Sequence, residues 1–357
     1  MRINWKAVIG TALSLALLAW VLHDISLREV LHELRQADPL LFALAIFVSV
    51  LGMPIRAARW GTLLHPLAPR LPFAARNAAT VVGFAANNLL PARIGEFARA
   101  FTLGRLTGLP VSAALGSLVL ERVFDGIVIV GLLAAAMAAP GFPDVRGLGG
   151  VDLGHAAVLM GGAMAAMVGV LFALVLAPGY TVALVERVVT RLLPPRARRL
   201  VLDVLHAFLS GLGVLKSPRL LLLSLLWALG QWGFLALSYL LAFRAFGIDD
   251  VGLTGALFLQ SFMSLAVSIP SSPGFFGPFE AAARLGLGLW GVPVEKAVSF
   301  AVGFHIGGFI PVTLWGLYYV SRLNLSWREL EQSEAVVEQR VEREAGVPAG
   351  EPAPGEG

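Results

Sequence analysis

Residues 156–177 form an unbroken apolar stretch of 22 residues without a single charge. As a helix such a run rises about 33 Å. That is enough to cross a hydrocarbon core of about 30 Å. Further apolar stretches lie at residues 7–22, 39–55, 220–243 and 297–320, and at 111–139, where Glu121, Arg122 and Asp125 interrupt the run. The chain is 57% hydrophobic and only 14% charged, with mean hydropathy +0.78, whereas a soluble domain is about a quarter charged. The runs are continuous rather than alternating, which argues against a membrane β-barrel. The fold class is therefore all-α, a polytopic transmembrane helical bundle. The sequence holds no Cys, so disulfides, thiol catalysis and thiolate metal sites are excluded. A net charge of +4 points to cytoplasmic loops and anionic headgroups rather than to nucleic acid.

Residues 87–99 break this oily background with Asn87, Asn88, Pro91, Arg93, Gly95, Glu96 and Arg99. Such groups are costly at membrane depth unless they line a cavity or pair with one another. They mark the centre of a polar site. Loop charge places that site in a topology. Arg2 and Lys6 put the N-terminus in the cytoplasm, and residues 7–22 read as an uncleaved first span. Residues 26–36 read as an amphipathic helix at the outer interface. Arg56, Arg59 and Trp60 read as a cytoplasmic boundary after the second span, and the Gly/Pro-rich loop at 141–154 as external. The basic loop at 178–219, with amphipathic pieces at 182–193 and 200–215, is expected on the anionic cytoplasmic leaflet.

Only one span, 111–139, joins the inside at Arg105 to the outside at Gly141. Residues 76–105 must then enter from the cytoplasm and return, with a tip near Pro91. The same reasoning sends residues 251–289 in from the outside and back, with a tip near Pro273. About six full crossings and two opposed re-entrant helical hairpins result, with amphipathic interface helices beside them. Broken segments in corresponding halves are the sequence pointer to a transporter with inverted repeats and a midplane site. Residues 1–322 form the membrane domain, and 323–357 an acidic cytoplasmic tail, partly disordered. The C-terminus is thus cytoplasmic as well.

Three constellations carry chemistry. In the first, Arg93, Glu96 and Arg99 are spaced three apart on one helical face. They can hold an anionic headgroup, or form a self-satisfied ion-pair triad that pins the hairpin. In the second, Glu121 and Asp125 share a face, with Arg122 between them. They can couple to an ion or proton, or neutralise arginines of the first hairpin and hold the bundle together. The third, residues 270–280, offers Ser271, Ser272 and Glu280 among prolines and glycines. It can receive a headgroup, or be a tight turn with Glu280 paired to Arg284. His305 in the last span is either a satisfied buried histidine or a proton-linked group. Gln231 and Gln260 read as interhelical hydrogen-bond partners. No metal-ligand spacing, nucleotide-binding Gly loop or nucleophile motif is present. No catalytic residue, metal or cofactor is assigned.

The order Pro91-Ala92-Arg93-Ile94-Gly95-Glu96 with Arg99, then Glu121-Arg122 with Asp125, then Pro270, Pro273, Gly274, Gly277 and Glu280 resembles the flippase-like membrane domain of the lysylphosphatidylglycerol synthase family. The resemblance covers roughly residues 5–322. It implies a multi-pass protein of a bacterial-type inner membrane that moves or handles a lipid between leaflets. In the best-known members an aminoacyl-transferase domain follows; only about 35 residues follow the last span here, so synthase activity is not implied. The expected function is a lipid flippase or transporter for an anionic, aminoacylated or polyprenyl-linked lipid. Arg93 and Arg99 would take the phosphate, Glu96 and Glu280 an amine or the arginines, with Asn87, Asn88, Ser271 and Ser272 beside them. Glu121, Arg122, Asp125 and His305 would serve ion coupling or structural pairing. The partners are a phospholipid or other anionic lipid and the membrane, with homo-oligomerisation open. The alternatives are a membrane-embedded enzyme that modifies lipid headgroups, and a membrane partner of a separate lipid-modifying enzyme.

Overall fold

A computed structural model describes residues 5–90, 93–143, 213–268, 271–326 and 329–330, with isolated positions between 162 and 205. The span expected at 156–177, the amphipathic pieces of the basic loop and most of the tail lie outside the described residues. All regular structure among the described residues is helical, and the protein is an all-α membrane bundle.

Local chemistry sets the helix starts. The amphipathic helix α2 (Leu27–Gln36) follows α1 (Trp5–Leu22) and opens on a capping box of Ser26 and Glu29. In α3 (Pro39–Leu64), Asp38 caps the first turn and Pro39 occupies the position where its missing N–H costs nothing. The short helices α4 (Phe73–Leu89) and α5 (Gly95–Thr107) lead to α6 (Val111–Met137). Ser217 and Pro218 start α7 (Pro218–Ala245) in the same way as Asp38 and Pro39 start α3. Then come α8 (Gly252–Ala266), a short turn at Pro273–Phe275, α9 (Pro278–Gly288) and α10 (Val294–Arg322).

These lengths repeat. The series α3–α6 runs 26, 17, 13 and 27 residues, and α7–α10 runs 28, 15, 11 and 29. Each unit is a long helix, two short arms packed on each other, and a second long helix. The short arms, of 11 to 17 residues, lie at or below the lower end of the roughly 17–25 residues a crossing helix uses. Contacts between the units are reciprocal: α3 packs on α7, α4 of the first unit on α10 of the second, and α8 of the second on α6 of the first.

One expectation changes. Residues 56–60 are not a boundary, because α3 continues to Leu64 and buries Arg56, Arg59 and Trp60. Carboxylates from α6 make this burial tolerable. Two large apolar cores form the bundle, and the ionic layer is embedded in the first of them. The first gathers Trp60, Phe101, Phe124 and Trp232; the other gathers Tyr239, Phe243, Phe246, Phe300 and Phe304.

Candidate functional site

Both broken segments turn on left-handed backbone. Arg93 (φ +57°) and Phe275 (φ +63°) are two of the three non-glycine residues with positive φ among the described residues. Left-handed backbone is disfavoured outside glycine, so tertiary contacts must hold it. At the first tip the Arg93 guanidinium donates to the carbonyls of Val267 (2.9 Å) and Ser268 (2.8 Å) and lies over the Phe275 ring. Arg93 therefore ties the first tip to the second. Asn87 reaches forward along the hairpin, its Oδ1 accepting from the Gly95 N–H at 2.8 Å, and caps α5. A side chain at Gly95 would collide with the Gly83 carbonyl and the Asn87 amide, so α4 and α5 touch backbone to backbone. Asn88 donates to Thr313 Oγ1 on α10 at 2.8 Å.

Glu96, Arg93 and Arg99 do not form a local triad. Gly95 starts α5, so Arg93 precedes the helix and aims elsewhere. Glu96 pairs with Arg122 of α6 at 2.9 Å. Arg99 meets Glu121 of α6 with both terminal nitrogens, at 2.9 and 3.0 Å, and its guanidinium carbon lies 4.0 Å from the Trp60 ring centroid.

Glu121 and Asp125 bind arginines from two helices. Arg56 Nη1 donates to Glu121 Oε1 and Asp125 Oδ2, both at 3.1 Å. Arg59 donates to Asp125, to Gln231 Oε1 and to the Glu121 carbonyl. Trp232 Nε1 donates to Asp125 at 2.9 Å. Gln231 thus joins the cluster, whereas the buried amide of Gln260 has no hydrogen bond among the described residues.

At the second tip, Glu280 Oε2 accepts from the Gly277 N–H at 2.7 Å, and Oε1 meets His305 Nδ1 at 2.6 Å. His305 Nε2 meets the Gly274 carbonyl at 2.8 Å, with Phe279 stacked on the ring. Arg284 does not pair with Glu280; it donates to Asp24 and to the last carbonyls of α1. The Ser272 N–H donates to Ser14 Oγ on α1, and the Ser272 hydroxyl to the Phe276 carbonyl. Ser271 Oγ is buried without a partner among the described residues.

Beside the joined tips, a cavity of about 270 Å³ lies among α3, α4, α7, α8, α10 and the second tip. Its wall includes Asn88 of the first hairpin, Phe275 and Phe279 of the second, His305, and Arg56. Of the site residues expected from sequence, Asn88 and His305 line it directly. Arg93, Arg99, Glu96, Asn87, Glu121, Arg122 and Asp125 hold the elements around it. Sequence reasoning missed Arg56 and Arg59. Their spacing of three was visible, but two arginines and a tryptophan after an apolar run read as an interface.

Residues 7–316 match the family described as the lysylphosphatidylglycerol synthase TM region. The chain is also 28% identical over 362 residues to glycosyltransferase AglD of Haloferax volcanii, covering 95% of this chain and 58% of that protein. The chain therefore spans about three-fifths of the length of that curated relative. The family ties the bundle to a membrane-lipid-related function. With its match running through both broken hairpins and the buried charge layer between them, the chain belongs to the lysylphosphatidylglycerol synthase transmembrane-region family.

Proposed function

We propose that the protein moves a lipid with an anionic headgroup between leaflets, with the headgroup passing through this cavity. The observation that carries this is the cavity's mixed wall. Aromatic rings from the second tip and α10 face a guanidinium from α3 and an amide from α4. A headgroup needs polar contacts and exclusion from hydrocarbon, while acyl or polyprenyl chains stay in the bilayer. Short arms joined tip to tip through Arg93 support this reading, because midplane transport sites are built from broken helices. We place the protein in a bacterial-type inner membrane with both termini cytoplasmic.

The test is headgroup translocation in proteoliposomes, using a fluorescent phosphatidylglycerol and a membrane-impermeant quencher. The wild type should expose inner-leaflet lipid to the quencher well above the protein-free rate. Arg93→Ala, which unties the tips, should lower that rate about tenfold or more, the scale of a displaced positioning contact. Equal rates for both proteins and empty liposomes would rule the transport reading out.

A second reading rests on the relative's printed name. A glycosyltransferase that matches over 58% of its length favours a membrane module working with an enzyme on a lipid-linked substrate. Co-purification with such an enzyme, without intrinsic translocation, would favour it.

A further inference from the structure

The buried ionic layer does not balance in charge. All four oxygens of Glu121 and Asp125 accept hydrogen bonds, from Arg56, Arg59, Arg99 and Trp232. Every one of those partners is a donor, so neither carboxyl carries a proton in this arrangement. Arg99 meets Glu121 with two nitrogens, and Arg59 is committed to Asp125, Gln231 and a carbonyl. These two arginines match the two acids. Arg56 is a third cation sharing the same carboxylates through Nη1 alone. Its Nε is buried without a partner, as are those of Arg59 and Arg99; its guanidinium lies over the Phe84 ring, and its Nη2 makes no hydrogen bond among the described residues. Arg56 is 7% exposed and lines the cavity. The neighbouring pair Glu96–Arg122 adds one charge of each sign, so the surplus stays at one.

A buried cation without its own counter-ion is costly. We propose that Arg56 is the receptor for a phosphate anion in the cavity, carried by a lipid headgroup or present as free phosphate. The lipid source rests on the transport reading; the anion site does not. The test is calorimetric titration of the detergent-purified protein with dihexanoyl-phosphatidylglycerol, dihexanoylglycerol and inorganic phosphate, on wild type and Arg56→Gln. Wild type should bind the phosphatidylglycerol, Arg56→Gln at least tenfold more weakly, and neither should bind the neutral diglyceride. Binding of inorganic phosphate with equal affinity would assign the site to the free anion. Without ligand, Arg56→Gln should melt no lower than wild type, because it removes the surplus. Arg99→Gln should melt lower. Equal binding by both proteins, no binding by wild type, or an Arg56→Gln variant that fails to fold would each overturn the proposal. Binding without translocation would leave it standing and remove the transport reading.

A different observation, the proton count at the second tip, carries a second inference. Arg122 and His305 are each the twelfth residue of the long helix that closes their unit. Each pairs with a glutamate in the first turn of the preceding short arm, Glu96 and Glu280. The two units thus carry corresponding latches, one with a fixed charge and one with an imidazole. The carbonyl of Gly274 can only accept, so His305 Nε2 carries a hydrogen. The 2.6 Å contact between Nδ1 and Glu280 then needs one more proton, held by either group. If that proton leaves, one of the two histidine contacts sets lone pair against lone pair. Keeping the stronger, charge-assisted bond to the carboxylate moves the remaining hydrogen to Nδ1 and frees the Gly274 carbonyl.

We infer that the His305–Glu280 pair is a one-proton latch on the second tip, closed when protonated. Among the ionisable groups on the surrounding elements, Arg56 on α3 and Tyr239 on α7 share the cavity wall with His305, and Arg93 at the first tip and Arg284 on α9 lie on the neighbouring segments. Arg284 is turned to Asp24, and Arg93 to the carbonyls of Val267 and Ser268. From α2, Glu29 is bonded to Ser26. The experiment is hydrogen-exchange mass spectrometry of residues 271–280 across pH, corrected for intrinsic rates, on wild type and Glu280→Gln. The amide that Glu280→Gln introduces can donate to His305 Nδ1 and accept from the Gly277 N–H, so the variant needs no shared proton. Protection should fall several-fold with rising pH in wild type and stay constant in Glu280→Gln, while residues 93–99 stay constant in both. A flat profile in wild type, or the same fall in both proteins, would refute the latch. If the variant does not fold, His305→Gln takes its place with the same expectation.

Discussion

Arg99 is held by one carboxylate and one indole, both buried, and its removal leaves Glu121 short of its closest counter-charge. Removing one partner of a buried pair costs about 3–5 kcal/mol, more than removing both. Arg99→Gln should therefore lower unfolding stability in detergent by that order, and the double variant with Glu121→Gln should recover part of the loss. Thermal melts of the three proteins measure this directly. The acidic half of the layer was legible at this scale. Glu121 and Asp125 sit one turn apart in an apolar helix, and only neighbouring cations make that tolerable. One partner, Arg99 of the first hairpin, was legible too; Arg56 and Arg59 were not, because they lie more than 60 residues away along the chain. The spacing of Arg93, Glu96 and Arg99 suggested a local triad. The positive φ at Arg93 decides otherwise, and nothing in a spacing of three encodes it.

At the scale of elements, helix types and most limits follow from apolar runs and caps. The helix expected at 26–36 is α2. What failed was the end of α3, where charge reads as contact with water. Helix α9 is tied to the turn after α1 by Arg284 and Asp24. The hydrogen bond from Arg284 holds the Asp24 carboxyl below its ordinary range. A carboxyl depressed in the folded state adds stability that is present above its unfolded value, about 3.9. That stability fades as pH falls through the folded value. Wild type should therefore melt above Asp24→Asn at neutral pH, with the gap closing in acid below about pH 4. A gap that widened in acid would contradict the sign.

At the scale of the whole molecule, the two units exchange arms. The first hairpin leans through α4 on the last helix of the second unit, and the second hairpin leans through α8 on the last helix of the first. Sequence parity suggested opposed hairpins but could not show this clasp, because packing partners leave no trace in loop charge. During synthesis the first unit leaves the ribosome long before its cover exists. Its hairpin, with Arg93 and Asn88, must wait for carbonyls and a hydroxyl that are still untranslated. Until then that polar arm has none of these partners within the chain. A chain cut between residues 143 and 213 should yield two fragments that are degraded when made singly. Made together, they should co-purify as one bundle, which pull-down of one fragment through a tag on the other would reveal.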